Sequence, residues 1–383
     1  MFDAGPVTCY IGFDPTAESL HVGNLIPIMA LVHVQQAGHR PIAVLGRGTA
    51  MVGDPSGRTE LRRMLSGGVI RQNADKVRNQ LRRFLDLDGG RALAVDNADW
   101  LLDLKYIDFL RDIGRHFSVN RMLAAEAYKI RMETGLSFLE FNYQILQAYD
   151  FLMLYRDYGC ALQMGGDDQW GNILAGTDLV RRIEGADVHA ATFPLITTSG
   201  GQKMGKTAAG AVWLDADMVD PYEFYQYWIN TDDLDVERFL GLYTQLPMDE
   251  VRRLGRLEGA DLRVAKETLA HETTKITHGE DAAGAAQQAS RAAFGGGADL
   301  SSIPSSKVPR SRIREGIPAL DLFVQTGLAT SKSEARRLIR QGGAYVNGQR
   351  IDSEDEVLSP GHLRDDALML RAGKKKVHRV VAV

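Results

Sequence analysis

Cysteine is nearly absent from this chain, and long apolar runs are absent altogether. The only two cysteines among 383 residues, Cys9 and Cys160, are far apart and form no metal-ligand spacing. We therefore expect no disulfide framework, no dedicated metal site and a reducing, cytoplasmic location. No apolar run reaches the length of a membrane-spanning helix, so we expect no membrane segment. The first residues also lack the basic start and apolar stretch of a signal peptide.

The composition that is present fits a soluble globular protein of two or three domains. Apolar residues make up 44% of the chain and charged residues 25%. The formal net charge of −4 is unevenly distributed, because the segment from Pro304 to the C-terminus carries 15 Lys and Arg against 9 Asp and Glu. This basic segment fits binding to a polyanion. The charge count alone fits a solvated surface equally well.

The first half of the chain alternates short apolar runs with longer helical patterns, which is typical of βαβ units and a parallel sheet. We predict a Rossmann-like α/β domain over residues 1–212, with strands at 7–13, 41–45, 92–95, 160–164 and 192–196. The sequence becomes helical and aromatic from Asp220. The further predicted parts are a helical domain (213–294), a Gly-, Ser- and Pro-containing linker (295–316) and a small α+β domain (317–383).

The first predicted strand leads into the sequence GFDPTAESLHVGN and then into a helix. Asn24 is a suitable N-cap, and Pro27 is tolerated in the first helical turn. Free backbone N–H groups and the positive end of the helix dipole would then lie beside His21, Gly23 and Asn24, where phosphate binds well. An ordinary strand–turn–helix with a surface histidine explains the pattern about as well.

A second candidate phosphate site is the glycine-rich sequence GGQKMGKT at residues 200–207. Lys203 and Lys206, with Thr207 beside them, could fold over a polyphosphate. Taken alone, a lysine-rich surface loop is the more frequent explanation of such a sequence.

The predicted helix FLEFNYQILQAYDFLMLY carries a polar stripe. Tyr143, Gln147 and Asp150 are spaced four and three residues apart, which places them on one helix face among apolar neighbours. Buried polar groups need hydrogen-bond partners. The three side chains therefore either satisfy one another or face a polar ligand.

These motifs resemble the signatures of class I aminoacyl-tRNA synthetases. H-V-G-N at residues 21–24 is similar to the first signature and K-M-G-K-T at residues 203–207 to the second. The stretches CYIGFDPT, VGDPSGR and MGGDDQWGN, with the polar stripe, are similar to bacterial-type tyrosyl-tRNA synthetases over nearly the whole chain. One departure is Asn24, where the family commonly has a second histidine. Asparagine can donate a hydrogen bond but is never cationic.

The resemblance implies a tyrosine–tRNA ligase that activates L-tyrosine with ATP, accompanied by Mg²⁺, and transfers it to tRNA(Tyr). The residues at the places of Tyr10 and Asp150 hold the phenolic hydroxyl of tyrosine in that family. The other tyrosine-binding residues that it implies are Asp54, Asn97, Tyr143, Gln147 and Gln169. The implied ATP-binding residues are Gly12, Asp14, His21, Gly23, Asn24, Gly166, Asp168, Lys203 and Lys206. The implied catalytic residues are His21, Asn24, Arg58, Arg62, Lys203, Lys206 and Thr207.

The C-terminal residues 317–351 predict a helix, a turn, a second helix and a hairpin. Lys332, Arg336 and Arg340 recur every four residues on one helix face, and Asn347-Gly348 is a strong two-residue hairpin signal. The unit resembles the small RNA-binding module shared with the fourth protein of the small ribosomal subunit. Such modules recognise RNA by shape and backbone contacts. Arg350 and the lysines at 374–376 extend the positive surface, although a solvated amphipathic helix is the alternative.

Two alternatives stay open. A tryptophanyl-tRNA synthetase shares the expected fold, and Asp150 and the C-terminal module argue against it. A non-catalytic RNA-binding relative is the other, and the intact H-V-G-N and K-M-G-K-T argue against that. The family normally has a longer helical lead-in, so either the start is misassigned or this enzyme lacks that segment. By family analogy we expect a homodimer with its interface near residues 109–122.

We predict that Lys206→Ala slows formation of tyrosyl-adenylate far more than it weakens tyrosine binding. The ammonium group would act on charge that develops only in the transition state. Pre-steady-state kinetics measures both quantities, and equal losses in the rate and the affinity would refute this role.

Overall fold

The structure, a computed structural model, describes residues 1–56, 64–207, 210–295, 303–364, 366–373 and 376–383, apart from the side chains of residues 127, 130, 206, 207 and 293–295. The chain divides into two compact units, Met1–Asp215 and Ala216–Val383. Over the described ranges, no helix has both the length and the apolar character that crossing a membrane requires.

A five-stranded parallel sheet forms the centre of the first unit. Its strands are β1 (Thr8–Phe13), β2 (Arg40–Leu45), β3 (Leu93–Asp96), β4 (Cys160–Gly166) and β5 (His189–Phe193). They lie in the order β3-β2-β1-β4-β5, and every neighbouring pair is parallel. The predicted Rossmann-like sheet is therefore confirmed, although β5 begins three residues before the predicted position. The strand order reverses between β1 and β4, and ligands of such sheets bind at the carboxyl ends of the strands there.

The helices of the first unit follow the predicted alternation with strands. They are α1 (Leu25–Gln36), α2 (Arg47–Ala50), α3 (Gly67–Leu81), α4 (Ala98–Leu101), α5 (Tyr106–Asp112), α6 (Val119–Leu123), α7 (Glu126–Thr134), α8 (Phe138–Phe141), α9 (Tyr143–Tyr158) and α10 (Trp170–Glu184). Two short strands, β6 (Lys206–Thr207) and β7 (Gly210–Ala211), pair antiparallel near the end of the unit. The predicted helix over residues 138–156 is thus divided into α8 and α9.

A buried ion pair fixes the chain just before α9, the helix that carries the polar stripe. Ser137 and Glu140 form a capping box at the start of α8. The Arg131 side chain, only 1% exposed, donates to both carboxylate oxygens of Glu140 at 3.1 Å. The pair joins α7 to α8, so the position at which α9 begins is set by its neighbours as well as by its own sequence.

The second unit begins with helices, as the sequence from Asp220 predicts. They are α11 (Pro221–Ile229), α12 (Val236–Tyr243), α13 (Met248–Gly255), α14 (Leu262–His278) and α15 (Glu280–Gly295). Trp228, Phe239 and Tyr243 are buried and make edge or tilted ring contacts with one another. The aromatic residues that mark this region in the sequence therefore form its core.

The C-terminal part of the second unit is an α+β structure, as predicted. Its elements are β8 (Ser305–Val308), α16 (Arg310–Glu315), β9 (Ile317–Pro318), α17 (Ala319–Gln325), α18 (Lys332–Arg340), β10 (Ala344–Val346), β11 (Gln349–Arg350), β12 (Val357–Leu358), β13 (Ala367–Ala372) and β14 (Lys376–Ala382). Its main sheet has the order β11-β10-β13-β14-β8. Asn347 and Gly348 both have positive φ, which confirms the predicted two-residue hairpin turn.

Strand β8 and helix α16 lie inside the segment 295–316 that the sequence predicts to be a linker. Strand β8 pairs parallel with β14, which satisfies backbone groups along that edge. Its polar sequence, Ser-Ser-Lys-Val, fits an edge strand and gives little hydrophobic signal. The domain boundaries themselves stay a prediction.

Candidate active site

A cavity of about 180 Å³ lies at the carboxyl ends of β1, β2 and β4 in the first unit. All the residues predicted to bind tyrosine line it: Tyr10, Asp54, Asn97, Tyr143, Gln147, Asp150 and Gln169. From the predicted ATP-binding set, it is also lined by Gly12, Asp14 and Gly166. The fold thus brings together residues from distant parts of the chain at the edge where the strand order reverses.

One end of the cavity is formed by the carboxylate of Asp150, which is 4% exposed. Asn97 Nδ2 donates to its Oδ2 at 3.0 Å, and Trp100 Nε1 donates to its Oδ1 at 2.8 Å. Burial raises the pKa of Asp150 to about 7, although these two donors lower it and the nearby charge of Asp14 raises it further. The site therefore holds an acceptor between neutral donors, and the carboxylate keeps lone pairs for a ligand.

Three buried polar atoms in this cavity have no hydrogen-bond partner among the described residues. They are the hydroxyl of Tyr10 and the side-chain oxygens of Gln147 and Gln163. Tyr10 is 2% exposed, and burial together with the charge of Asp150 raises the pKa of its hydroxyl. Buried polar atoms without partners are costly, and their convergence on one cavity indicates a polar ligand.

A second group of polar side chains lies around Asp54 and Asp14. Gln169 Nε2 donates to Asp54 Oδ2 at 2.7 Å, and the backbone N–H of Ser56 donates to Asp54 Oδ1 at 2.8 Å. The Tyr143 hydroxyl donates to Asp14 Oδ2 at 3.0 Å. The polar stripe of α9 therefore faces other elements of the cavity, and the recorded partners of Tyr143 and Asp150 lie off the stripe. Two carboxylates at this end are suited to an ammonium group.

The H-V-G-N turn differs from its predicted geometry. Residues Val22–Asn24 form a 3₁₀ turn capped by His21, whose Nδ1 accepts the Gly23 N–H at 3.0 Å. Asn24 does not cap α1, because its Oδ1 accepts the His21 N–H at 3.0 Å. The Asn24 N–H donates to the His21 carbonyl at 2.7 Å. The prediction that the Asn24 side chain caps α1 is therefore wrong, because that side chain closes an extra turn before the helix, and the N–H groups of Gly23 and Asn24 are bonded to His21.

The two signature motifs lie against each other. Gly205 has a φ of +77°, and a Cβ at this position would lie 2.7 Å from the Gly23 nitrogen. The Val212 N–H donates to the Gly205 carbonyl, and the Val22 N–H donates to the Val212 carbonyl, both at 2.9 Å. Only glycine permits this approach with this backbone conformation. Motifs about 180 residues apart along the chain thus meet, because the residues after β5 return to α1.

The other predicted residues of the first unit lie outside this cavity or outside the described residues. Asp168 is exposed in the turn Asp167–Gln169, and its Oδ2 accepts a hydrogen bond from Gln169 Nε2 at 3.2 Å. Lys203 is exposed and forms an isolated backbone bridge with Thr197. Outside the described part are Arg58, Arg62 and the side chains of Lys206 and Thr207. The roles of all these residues stay predictions.

Sequence reasoning missed two polar residues of the cavity, Thr49 and Gln163, and also Trp100, which donates to Asp150. Thr49 follows β2 and Trp100 follows β3, so a full survey of the residues after each predicted strand would have included both. Gln163 is the one polar residue in the buried strand sequence CALQM, which is itself a signal for a ligand contact.

A larger cavity of about 530 Å³ in the same unit is less suited to be the site. It is lined by apolar side chains such as Phe117, Met122 and Trp170, and Asp168 is its only residue from the predicted set. Convergent buried polar groups identify a specific site better than volume does. Among the described side chains, no group of three or more His, Cys, Asp or Glu residues is arranged to hold a metal ion.

The predicted basic face of the second unit carries its own acidic partners. The recorded ion pairs are Lys332–Asp321 at 2.5 Å, Arg336–Glu354 at 3.8 Å, Arg340–Glu354, and Arg350–Asp352 at 3.0 Å. Each cationic side chain is at least half exposed, so these pairs contribute little to stability. Lys374 and Lys375 lie outside the described residues.

Two family models together match nearly the whole chain. The model described as class I tRNA synthetases (W and Y) matches residues 3–295, and that of the tyrosine–tRNA ligase SYY-like C-terminal domain matches residues 299–380. The chain is 56% identical to the tyrosine–tRNA ligase of Desulfosudis oleivorans over 398 residues, covering 98% of this chain and 92% of that one. It is 55% identical to that of Caldanaerobacter subterraneus over 381 residues, covering 100% and 93%.

Solved structures have the same architecture. A C-terminally truncated mitochondrial tyrosyl-tRNA synthetase of Aspergillus nidulans is similar with a TM-score of 0.66 and 33% identity, covering 75% of this chain and 85% of that one. The tyrosyl-tRNA synthetase of Archaeoglobus fulgidus, complexed with L-tyrosine, has a TM-score of 0.56 at 18% identity, covering 74% and 90%. The second likeness supports the fold alone.

We predict that the buried carboxyl of Asp150 makes the protein more stable as the pH falls from about 8 to about 5. The folded state holds this proton with a pKa of about 7, above the ordinary value of 3.8, so the unfolded state binds fewer protons in this window. The cost of burying the ionised Asp150 carboxylate is fully present above pH 7, and it decreases as the pH falls through the folded pKa. Below the folded pKa, the contribution of Asp150 to the free energy of unfolding changes by about 1.4 kcal/mol per pH unit.

Denaturant unfolding of the wild type and Asp150→Asn across this range measures the effect. The stability difference between the two proteins should change with pH. The matched control is Asp86→Asn, because the Arg91 hydrogen bond lowers the pKa of Asp86 and leaves it ionised throughout the window. A constant difference for Asp150→Asn would show that its carboxyl is not protonated in this range.

Proposed function

This chain belongs to the class I tRNA synthetases of tryptophan and tyrosine, and on that premise we propose how it carries out the tyrosine–tRNA ligase reaction. The enzyme activates L-tyrosine with ATP and transfers it to tRNA(Tyr). The observation that carries the substrate assignment is the buried pair of Asp150 and Tyr10 at one end of the cavity. Relatives named tyrosine–tRNA ligase, 53–56% identical over nearly the full length, support the same activity.

The phenolic hydroxyl of tyrosine completes the hydrogen bonding at this end of the cavity. It donates to the Asp150 carboxylate and accepts from the Tyr10 hydroxyl, which has no partner among the described residues. Phenylalanine in the same place would leave both groups buried without that partner, and such a loss is costly. Selectivity against phenylalanine therefore follows from binding alone.

Tryptophan fits this end less well, for the same reason. An indole N–H can donate to Asp150 but cannot accept a hydrogen bond from Tyr10. The phenol hydroxyl can do both at once. The buried Tyr10 hydroxyl thus favours tyrosine over the other substrate of the family.

At the opposite end, Asp54, Tyr143 and Gln147 bind the ammonium group of tyrosine. Asp54 supplies negative charge, and the side-chain oxygen of Gln147 has no partner among the described residues. Gln169, which donates to Asp54 at 2.7 Å, lies beside the substrate carboxylate. Both ends of the amino acid are held, so its carboxylate is directed toward the nucleotide.

The first chemical step joins a carboxylate oxygen of tyrosine to the α-phosphorus of ATP. The bond from that phosphorus to the pyrophosphate oxygen breaks, and pyrophosphate leaves with Mg²⁺, which enters as part of the nucleotide substrate. Because the carboxylate is already a nucleophile, no general base is required. Positioning and charge stabilisation supply the catalysis.

His21 and the glycine-rich loop act on the phosphates in this proposal. His21 Nδ1 accepts the Gly23 N–H at 3.0 Å, which fixes the ring at the start of the turn, where we place it beside the phosphates. The close approach of Gly205 to Gly23 places the second signature beside the first. Lys203, Lys206 and Thr207 then stabilise the departing pyrophosphate, with Arg58 and Arg62 on its other side. Asn24 acts through geometry, because it holds the His21 N–H.

The second step transfers tyrosine from the adenylate to the 3′ end of tRNA(Tyr), and AMP leaves. The C-terminal α+β part of the second unit binds the RNA with the basic face of α18, Lys332, Arg336 and Arg340, and with Arg350. The exposure of these cations and their spacing on one helix face support this assignment. A cytoplasmic location fits the two buried, unpaired cysteines.

The enzyme forms a homodimer through the region around residues 109–122. Large apolar side chains are exposed there and nearby, among them Ile107 at 71%, Val119 at 57% and Phe138 at 70%. Several large exposed apolar side chains within one stretch of the chain, residues 107–138, are typical of a protein interface. In a symmetric dimer the same patch packs on itself.

We predict tyrosine-dependent exchange of label between pyrophosphate and ATP by the wild type. Exchange with tryptophan only would support the other family substrate, and exchange with neither would indicate a non-catalytic relative. Asp150→Asn should lower kcat/KM for tyrosine by roughly 10- to 100-fold, the range for a lost hydrogen bond to a charged group. The control is Asp86→Asn, which changes a partly exposed aspartate paired with Arg91, and it should leave the exchange unchanged.

We predict that Val119→Glu dissociates the dimer. Each symmetric interface would contain two buried charges, so the dissociation constant should rise by roughly 100-fold or more. Sedimentation velocity over a concentration series measures it. The control is Leu234→Glu, because Leu234 is 83% exposed in the second unit and far from this patch in sequence. An unchanged dimer in Val119→Glu would place the interface elsewhere.

A further inference from the structure

A buried hydroxyl lies between two of the carboxylates of the cavity, Asp14 and Asp150. Thr49 Oγ1 is 2.8 Å from Asp14 Oδ1 and 2.9 Å from Asn97 Nδ2. Asn97 Nδ2 is in turn 3.0 Å from Asp150 Oδ2. Thr49 is 2% exposed and Asn97 is fully buried, so bulk water does not compete for the bonds of Asn97 to Thr49 and Asp150, whereas the bond from Thr49 to Asp14 is partly buried. The hydroxyl therefore joins the two carboxylates through one amide.

The direction of each hydrogen bond in this chain is determined by its members. The Asn97 side-chain oxygen accepts the Gly48 N–H at 2.7 Å, so its amino group points toward Thr49 and Asp150. A threonine hydroxyl has one proton, and a carboxylate can only accept. Thr49 therefore accepts from Asn97. Its one proton has two acceptors within reach, and it is donated to the nearer and charged one, Asp14 Oδ1 at 2.8 Å, in preference to the Gly46 carbonyl at 3.2 Å. Neither a methyl group nor a second acceptor could take its place.

Gly46 provides the space for this contact. A Cβ on Gly46 would lie 2.0 Å from Asp14 Oδ1 and 2.6 Å from Thr49 Oγ1. Gly46 immediately precedes the short helix α2, which presents Thr49, and the Thr49 hydroxyl also lies 3.2 Å from the Gly46 carbonyl. The residues after β2 are thus built so that the Asp14 carboxylate can reach a buried hydroxyl.

The hydrogen-bonded chain extends over both ends of the amino-acid site. Asp14 also accepts from the Tyr143 hydroxyl at 3.0 Å, and Tyr143 belongs to the proposed ammonium end. Asp150 accepts from Trp100 at 2.8 Å at the phenol end. One buried hydroxyl is therefore the link between the residues that hold the two ends of the substrate.

We propose that Thr49 is a positioning residue whose hydroxyl orients Asp14 directly and Asp150 through Asn97. This inference rests on the proposed tyrosine site. Without the hydroxyl, one Asn97 N–H loses its acceptor and Asp14 loses one of its donors. The orientation of both carboxylates is then less well fixed, although Tyr143 still donates to Asp14 and Trp100 to Asp150. A buried polar group without a partner is costly, and the amide must rotate or shift to find another.

The test compares Thr49→Val, which removes only the hydroxyl, with Thr49→Ser, which keeps it. Tyrosine-dependent pyrophosphate exchange is measured for each protein between about pH 6 and about pH 9, a range around the raised pKa of Asp150. Thr49→Val should raise KM for tyrosine by roughly tenfold, the effect of one hydrogen bond to a charged group. The pH midpoint of KM should move upward, because Asn97 then stabilises the ionised form of Asp150 less well. The other titratable groups that face Asp150 are Asp14 and Tyr10, and both are present in every variant. Thr49→Ser should restore both values.

A second variant, Gly46→Ala, perturbs the contact between Thr49 and Asp14 without changing either residue. Gly46→Ala keeps the threonine but crowds both the Asp14 carboxylate and the Thr49 hydroxyl, so it should separate the two groups and also raise KM for tyrosine. The matched control is Thr273→Val in α14 of the second unit, whose buried hydroxyl bonds to the Leu269 carbonyl at 2.7 Å. Its exchange kinetics should equal those of the wild type. Circular dichroism and the denaturation midpoint verify that each variant is folded.

The outcomes separate this proposal from the function on which it rests. If the wild type exchanges with tyrosine and Thr49→Val matches it in KM and pH midpoint, the role of Thr49 is wrong and the function stands. If Thr49→Ser shows the same raised KM and shifted pH midpoint as Thr49→Val, the packing of the threonine methyl group is responsible and the proposal is also wrong. If the wild type shows no tyrosine-dependent exchange, both conclusions fall.

Discussion

The site depends on a carboxylate buried where water cannot solvate it. Asp150 is held by the amide of Asn97 and the indole of Trp100, and neither donor neutralises its charge. A cationic partner would have been the cheaper way to stabilise a buried carboxylate, but an ion pair would have satisfied the charge before a ligand arrived. The fold keeps an acceptor that is only partly satisfied, and the cavity around it becomes selective for a group that can donate. Much of the first unit positions this contact, because α9, the residues after β3 and strand β1 must all meet there.

The general architecture and most of the cavity could be predicted from the sequence. Alternating apolar and helical patterns predicted the parallel sheet, and the spacing of Tyr143, Gln147 and Asp150 predicted a shared helix face. These features depend on local periodicity. The donors to Asp150 were harder to predict, because Trp100 becomes a partner only when α4 packs beside α9. Asn97 and Tyr10 entered through resemblance, and no pattern in the sequence alone assigns them to one site.

The errors have equally specific causes. Asn24 has the residue type of an N-cap, but a 3₁₀ turn before α1 moves the cap to His21, and one extra turn cannot be read from composition. Strand β8 was assigned to a linker because Gly, Ser and Pro dominate its surroundings, whereas its pairing with β14 is a tertiary contact. The approach of Gly205 to Gly23 is also tertiary. The two signatures could be recognised separately, but only the folded chain shows that they touch.

The ion pairs on the basic face of the second unit affect how it would respond to polyanions. Asp321, Glu354 and Asp352 act as counterions that are covalently attached to the protein and cannot diffuse away. A polyanion whose phosphates do not match the positions of the cations must break these ion pairs without forming equally good ones, so non-specific binding is weakened. A ligand whose phosphates fit the spacing of the cations replaces several carboxylates at once. These internal ion pairs therefore lower the affinity of the surface for polyanions in general and increase its selectivity for one shape.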